Sequence, residues 1–110
     1  MSGNAPEIAL PQLPKARVAI ISSSWHLDIC NDLIAGAQKA LTAASITDVT
    51  VSYVPGSFEL PLAAQIAFEK GFDAVVAVGL VLEGQTPHFD YVCQGVTQGI
   101  MDVSLKFSAP

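Results

Sequence analysis

Apolar residues in this chain fall into two kinds of segment, short unbroken runs and stripes at helical spacing, and the two kinds alternate. Arg17 to Ser22 (RVAIIS) is a β-branched run of strand length that breaks at Ser23, Ser24, Trp25 and His26, which predicts a strand leading into a loop. From Asp28 to Ser45 the positions Ile29, Leu33, Ala37, Ala40, Leu41 and Ala44 recur at helical spacing, with Asp28 placed to cap or charge the first turn. Val49 to Val54 predicts a second strand, closed by Pro55 and Gly56. The next helix starts near Ser57, carries Pro61 in its first turn and stops at Gly71. Ala74 to Leu82 is apolar on both faces, as in a central parallel strand covered on each side, and is expected to be the most buried element. Beyond Gly84, Thr86 and Pro87 read as N-cap and first helical residue. Phe89, Val92, Cys93, Val96, Ile100, Val103 and Phe107 then hold a helical stripe to about Phe107.

The order β-α-β-α-β-α calls for right-handed crossovers and an α/β fold, a three-layer α/β/α sandwich with a mainly parallel sheet. Residues 1–15, with Pro6, Pro11 and Pro14, read as an extended arm able to lie across a neighbour, and residues 16–110 as the domain. A further strand would normally return to the sheet after the last helix, so a C-terminal strand is expected to be missing from this chain.

Composition narrows the class. In 110 residues, 51% are hydrophobic and 14% charged, and the mean hydropathy is +0.47. Such a chain has room for one small domain, is not disordered, and carries enough apolar surface to suggest burial beyond one subunit. The run Ala74 to Leu82 is about half of the roughly 20 residues a membrane span needs, so no crossing is expected. Met1 to Lys15 has neither a basic start nor an apolar signal core, which points to the cytoplasm. Cys30 and Cys93 lack paired spacing and read as reduced, buried small hydrophobes. A net charge of −5 opposes nucleic acid and anionic membranes as partners.

In open parallel sheets ligands collect at the carboxyl ends of the strands, where the loops Ser22 to Leu27, Pro55 to Glu59 and Gly84 to Phe89 should meet. Trp25, beside His26, offers a surface for stacking a planar heterocycle, or else plugs its loop against the core. Gly56 lets a ligand approach the backbone, and Ser57 and Glu59 could bond a polyol or a ring amide. They are equally the ordinary capping partners of a helix start. Gly84, Gln85 and Thr86 place free N–H groups at a helix N-terminus, where an anion such as phosphate is favoured. His88, in the first turn, can exchange protons in both directions near neutral pH. With only two histidines and no acidic or thiol cluster beside them, no metal site is expected. Lys15, Arg17, Lys39, Lys70 and Lys106 all fall away from these loops, so a cation completing the anion site must come from elsewhere.

With these residues assembled, the chain resembles the 6,7-dimethyl-8-ribityllumazine synthase family of riboflavin biosynthesis, most of all its actinobacterial type. The likeness rests on SSSWH (Ser22 to His26), VPGSFELP (Val54 to Pro61) and GQTPHFDYVCQGVTQG (Gly84 to Gly99), and covers nearly everything but the arm. It implies a flavodoxin-like fold and condensation of 5-amino-6-(D-ribitylamino)uracil with 3,4-dihydroxy-2-butanone 4-phosphate, without metal or organic cofactor. By motif, it implies that Trp25 stacks on the pyrimidine, that Ser57, Phe58 and Glu59 hold the ring and ribityl chain, and that the backbone of Leu80, Val81 and Leu82 lines the pocket. Gln85 and Thr86 would hold the phosphate, and His88 would donate and accept protons. It further implies a homopentamer or an icosahedral shell with sites between neighbouring subunits, and a further strand, the C-terminal helices and a phosphate-binding arginine downstream of Pro110. Glu83 departs from the family pattern, where arginine is usual, and makes the local field less favourable to phosphate. Two other readings stand beside this one: a riboflavin- or lumazine-binding module without turnover, and a shell-forming structural protein.

Overall fold

The computed structural model describes residues 3–110. In chain order the elements are β1 (Arg17–Ser23), α1 (Leu27–Ala43), β2 (Asp48–Val54), a 3₁₀ turn over Ser57–Glu59, α2 (Leu60–Glu69), β3 (Ala74–Val78) and α3 (His88–Phe107). The expected α/β alternation is present, and the sheet is wholly parallel with strand order β2-β1-β3. Val18 lies opposite Val49 on one side and Ala74 on the other, and the ladders continue to Ser23–Val54 and Ser22–Val78.

That order overturns the expectation that the third strand is central. The crossover from β2 passes β1 and lays β3 on its far side, so β1 is the strand paired on both edges, and every residue from Val18 to Ser23 is buried. β3 is half-buried along most of its length and ends at Val78, opposite Ser22 of β1. Its apolarity was read correctly, but burial is set by the number of covered edges. Val75 N–H donates to Pro110 O at 3.0 Å on this side of the sheet.

Helices cover both faces. On one, Val18, Ala44 and Ile46 gather Leu41, Val49 and Val76 beneath α1; on the other, Ile21, Leu60, Ala64 and Val103 form the core under α2 and α3. The α3 stripe from Phe89 to Phe107 is buried or half-buried throughout, as its spacing predicts, and the Phe68 and Phe107 rings stack 5.3 Å apart. α1 differs from its reading. Cys30 and Ile34 are its buried positions, while Ile29, Leu33 and Ala40 point outward, so the helix has two apolar stripes and spacing alone named a mixture of both. Asp28 sits in the first turn but makes no side-chain cap; His26 holds the N-cap position with φ 52°. At α3 the N-cap is Pro87 and not Thr86, because Asp90 N–H and Tyr91 N–H both donate to Pro87 O. Gly71, with φ 91°, follows α2 as expected of a helix stop. Cys30 is fully buried, whereas Cys93 is only half-buried.

Residues 4–13 have no regular structure, and the arm's first two residues lie outside the described ones. Leu13 N–H and Gln12 Nε2 donate to Ala44 O and Ala43 O, tying the arm to the end of α1 in its own chain. At the amino edge of the sheet Arg17 Nε meets Asp48 Oδ2 at 3.1 Å, and the Arg17 guanidinium stands 4.6 Å from the Phe72 ring centroid.

The packing of α3 against the 3₁₀ turn and α2 depends on two absent side chains. A Cβ at Gly95 would lie 2.6 Å from Phe58 Cε1, and one at Gly99 would lie 2.6 Å from Pro61 Cγ. Gly99→Val should therefore destabilise the fold by about 2 kcal/mol through overpacking against a rigid ring. Urea unfolding reads this directly, and an unchanged midpoint would contradict the close packing.

Candidate active site

Three chain segments converge at the carboxyl edge because the strands are parallel and in register there. Ser24 Oγ donates to Val54 O at 2.8 Å, fastening the end of β1 to the end of β2 and bringing Trp25 beside Gly56. The Trp25 indole runs so close to that glycine that a Cβ at position 56 would lie 3.6 Å from its Cδ1 and Nε1. Gly56 N–H donates to Glu59 Oε2 at 3.0 Å and Glu59 N–H to Gly56 O at 3.2 Å, the reciprocal bonds of a helix start. The capping role of Glu59 is thus realised. It occupies one carboxylate oxygen and leaves the other without a partner among the described residues.

The result is a cleft of about 550 Å³. Trp25 and His26 come from the first loop, Ser57, Phe58 and Glu59 from the 3₁₀ turn, and Leu80, Val81 and Leu82 from the chain leaving β3. His88, Tyr91 and Val92 come from the start of α3. Trp25, Ser57, Phe58, Glu59, Leu80, Val81, Leu82 and His88 were all singled out from the sequence. Gln85 and Thr86 were singled out too, but they stand exposed on the loop ahead of α3 and do not line the cleft. Glu83 is exposed on the same loop. Tyr91 was missed, although its position three residues after His88 puts it on the same helix face. His26 was noted only as the neighbour of Trp25.

Chemically, the cleft suits a flat ring with a polar edge. Trp25, Phe58 and Tyr91 are 65%, 61% and 70% exposed, an unusual concentration of accessible aromatic surface from three different elements. Its polar groups are the Glu59 carboxylate, two imidazoles, the Tyr91 phenol, the Trp25 indole N–H and the Ser57 hydroxyl, whose Oγ is buried with no hydrogen-bond partner among the described residues. Neither lysine nor arginine lines the cleft. The bonds to Pro87 O come from Asp90 and Tyr91, and the N–H groups ahead of them lie at the positive end of a 20-residue helix that follows the loop of Gln85 and Thr86.

Residues 15–110 match the family described as 6,7-dimethyl-8-ribityllumazine synthase. A protein of that name from Streptomyces coelicolor is 49% identical over 111 residues, taking in all of this chain and 69% of its own length. Another from an Arthrobacter species is 49% identical, covering all of this chain and 71% of its own length. A third, from Mycolicibacterium vanbaalenii, is 48% identical over 96% of this chain and 70% of its own length. The chain belongs to the 6,7-dimethyl-8-ribityllumazine synthase family. The resemblance drawn from three loop motifs, including its actinobacterial leaning, therefore holds over every strand, every helix and all three loops of the cleft.

Gly79 couples this site to the sheet. A Cβ there would collide with Ser57 Oγ and lie 3.3 Å from both Leu60 Cδ1 and Ser23 Oγ. Gly79→Ala should cost about 2 kcal/mol, and adding Ser57→Ala, which removes the colliding hydroxyl, should recover most of it. Denaturant midpoints of the two single variants and the double variant test the coupling; purely additive losses would refute it.

Proposed function

We propose that this protein condenses 5-amino-6-(D-ribitylamino)uracil with 3,4-dihydroxy-2-butanone 4-phosphate to 6,7-dimethyl-8-ribityllumazine, releasing phosphate and water. The observation that carries the reading is the convergence of Trp25, the Ser57 to Glu59 turn and His88 on one aromatic cleft in a chain of this family. Trp25 stacks on the pyrimidine. The Ser57 hydroxyl and the free oxygen of Glu59 bond the ribityl chain, beside Phe58, and the backbone of Leu80, Val81 and Leu82 meets the ring edge. Gln85 and Thr86, with the N-terminus of α3, take the phosphate once the loop closes toward the cleft.

The 5-amino group adds to the ketone and loses water to form an imine between the two substrates, so no lysine of the protein needs to become covalently bound. Removal of the proton from the hydroxyl-bearing carbon expels phosphate from the next carbon and leaves an enol; protonation of its terminal carbon gives a ketone, to which the second nitrogen adds, and that oxygen leaves as the second water. His88 serves these transfers as acceptor and then donor. The remainder of the rate comes from holding both substrates in reacting geometry.

The same reading includes a homopentamer or a larger shell and a cytoplasmic location, where both substrates would be met. Outward-facing Ile29 and Leu33 on α1, and Ile8 and Leu10 on the arm, support an assembly that covers them. A second reading has one observation in its favour. With no lysine or arginine in the cleft, a module that holds a lumazine or riboflavin ring without turnover would need nothing more than the aromatic surface.

Mixing the protein with both substrates and following lumazine absorbance decides between them. Turnover above the uncatalysed rate is expected, and its absence with retained lumazine binding would favour the binding module. His88→Ala should lower kcat by about a hundredfold while lumazine affinity changes less than about threefold. Equal losses in both would remove His88 from proton transfer.

A further inference from the structure

Cys30 is fully buried at the first turn of α1 and has no part in the reaction above. Its sulfur lies 3.4 Å from Trp25 O and 3.6 Å from Ser23 Oγ. We propose that Cys30 is the positioning residue of the stacking platform, its thiol joining the Ser23 hydroxyl to the Trp25 carbonyl and so fixing the loop that presents the indole.

The proton count sets the direction of this chain. A thiol has one hydrogen, and the Trp25 carbonyl can only accept, so the S–H points to Trp25 O. The Ser23 hydroxyl, itself fully buried and with no other partner among the described residues, must donate to the sulfur. The order is Ser23 O–H to Cys30 Sγ–H to Trp25 C=O. Cys30 also grips the next peptide, because its backbone N–H donates to His26 O at 3.1 Å. One residue thereby holds both carbonyls on either side of His26, whose φ of 52° is a conformation that non-glycine residues seldom adopt without support. Trp25 is 65% exposed, with the Cδ1–Nε1 edge of its indole beside Gly56. Its direction is accordingly set by the backbone that Cys30 anchors more than by packing around the ring.

Trp25 is the single tryptophan of the chain, so its fluorescence reports on this loop without a label and without ligand. In Cys30→Val the thiol is replaced by an apolar group of similar size. The emission anisotropy should fall and quenching by iodide should rise in the free protein. Cys30→Ser, which keeps a donor and an acceptor, should restore both toward the original. Ser23→Ala keeps the Cys30 packing and should shift both in the same direction as Cys30→Val, so the test survives if the valine variant does not fold. Combined with Cys30→Val it should add nothing. The part that rests on the proposed reaction is a rise of about tenfold in KM for the pyrimidine substrate in Cys30→Val, reversed in Cys30→Ser. Unchanged anisotropy and quenching in folded Cys30→Val, or a serine variant indistinguishable from valine, would overturn the anchor. A changed emission with an unchanged KM would retain the anchor and overturn the stacking role of Trp25.

Discussion

The two-sided parallel pairing of β1 is the constraint on which the rest of the structure depends. Because β2 and β3 both run beside it in the same direction, three strand ends leave the sheet at one edge, and whatever follows each strand is delivered to the same place. Because both its edges are occupied, β1 is buried from Val18 onward and its last residues, Ser22 and Ser23, are fully enclosed. Leaving a buried hydroxyl unpaired is costly, and Ser23 has its partner in the thiol that also holds the tryptophan loop. The demand for hydrogen bonding in the core and the placement of an exposed aromatic ring are in this way parts of one arrangement.

The cleft combines rigid and adaptable parts. Its aromatic walls are set by backbone close to the sheet: the bond from Ser24 to Val54, the Gly56–Glu59 turn, and the packing of Phe58 against the bare face of α3 at Gly95. Its far end is the chain between Val78 and His88, which has left the ladder and carries Gln85 and Thr86 into solvent. The two substrates proposed above, a ring and a small phosphate, would match that division. Stacking needs a plane fixed in advance, while an anion can be enclosed by N–H groups that gather around it.

Much of this was legible in the sequence, and the exceptions have definite causes. All the strands and helices were readable because runs and stripes differ in period, and eight cleft residues were readable because three loops with unusual residues follow three strands. Strand order was not, since apolarity on both faces of Ala74 to Leu82 is equally compatible with an edge strand whose faces are covered. Which stripe of α1 faces the sheet was also hidden, because Ile29 and Leu33 are as apolar as Ile34. The cap of α3 was misplaced by one residue, since threonine before proline looks like a cap whether or not its hydroxyl is used. Tyr91 needed only the helical period to be counted onward from His88. The anchoring role of Cys30 had no sequence signal, because it consists of where a thiol proton points.

The outward stripe of α1 ties folding to assembly. A protomer that keeps Ile29, Leu33 and Ala40 in water gains little from folding at those positions, and any copy that covers them contributes its binding free energy to the folded side alone. For such a chain the unfolding midpoint is a function of protein concentration and not a constant of the sequence. The apolar content of that stripe is therefore held in reserve, adding little in the isolated protomer and becoming effective only by mass action.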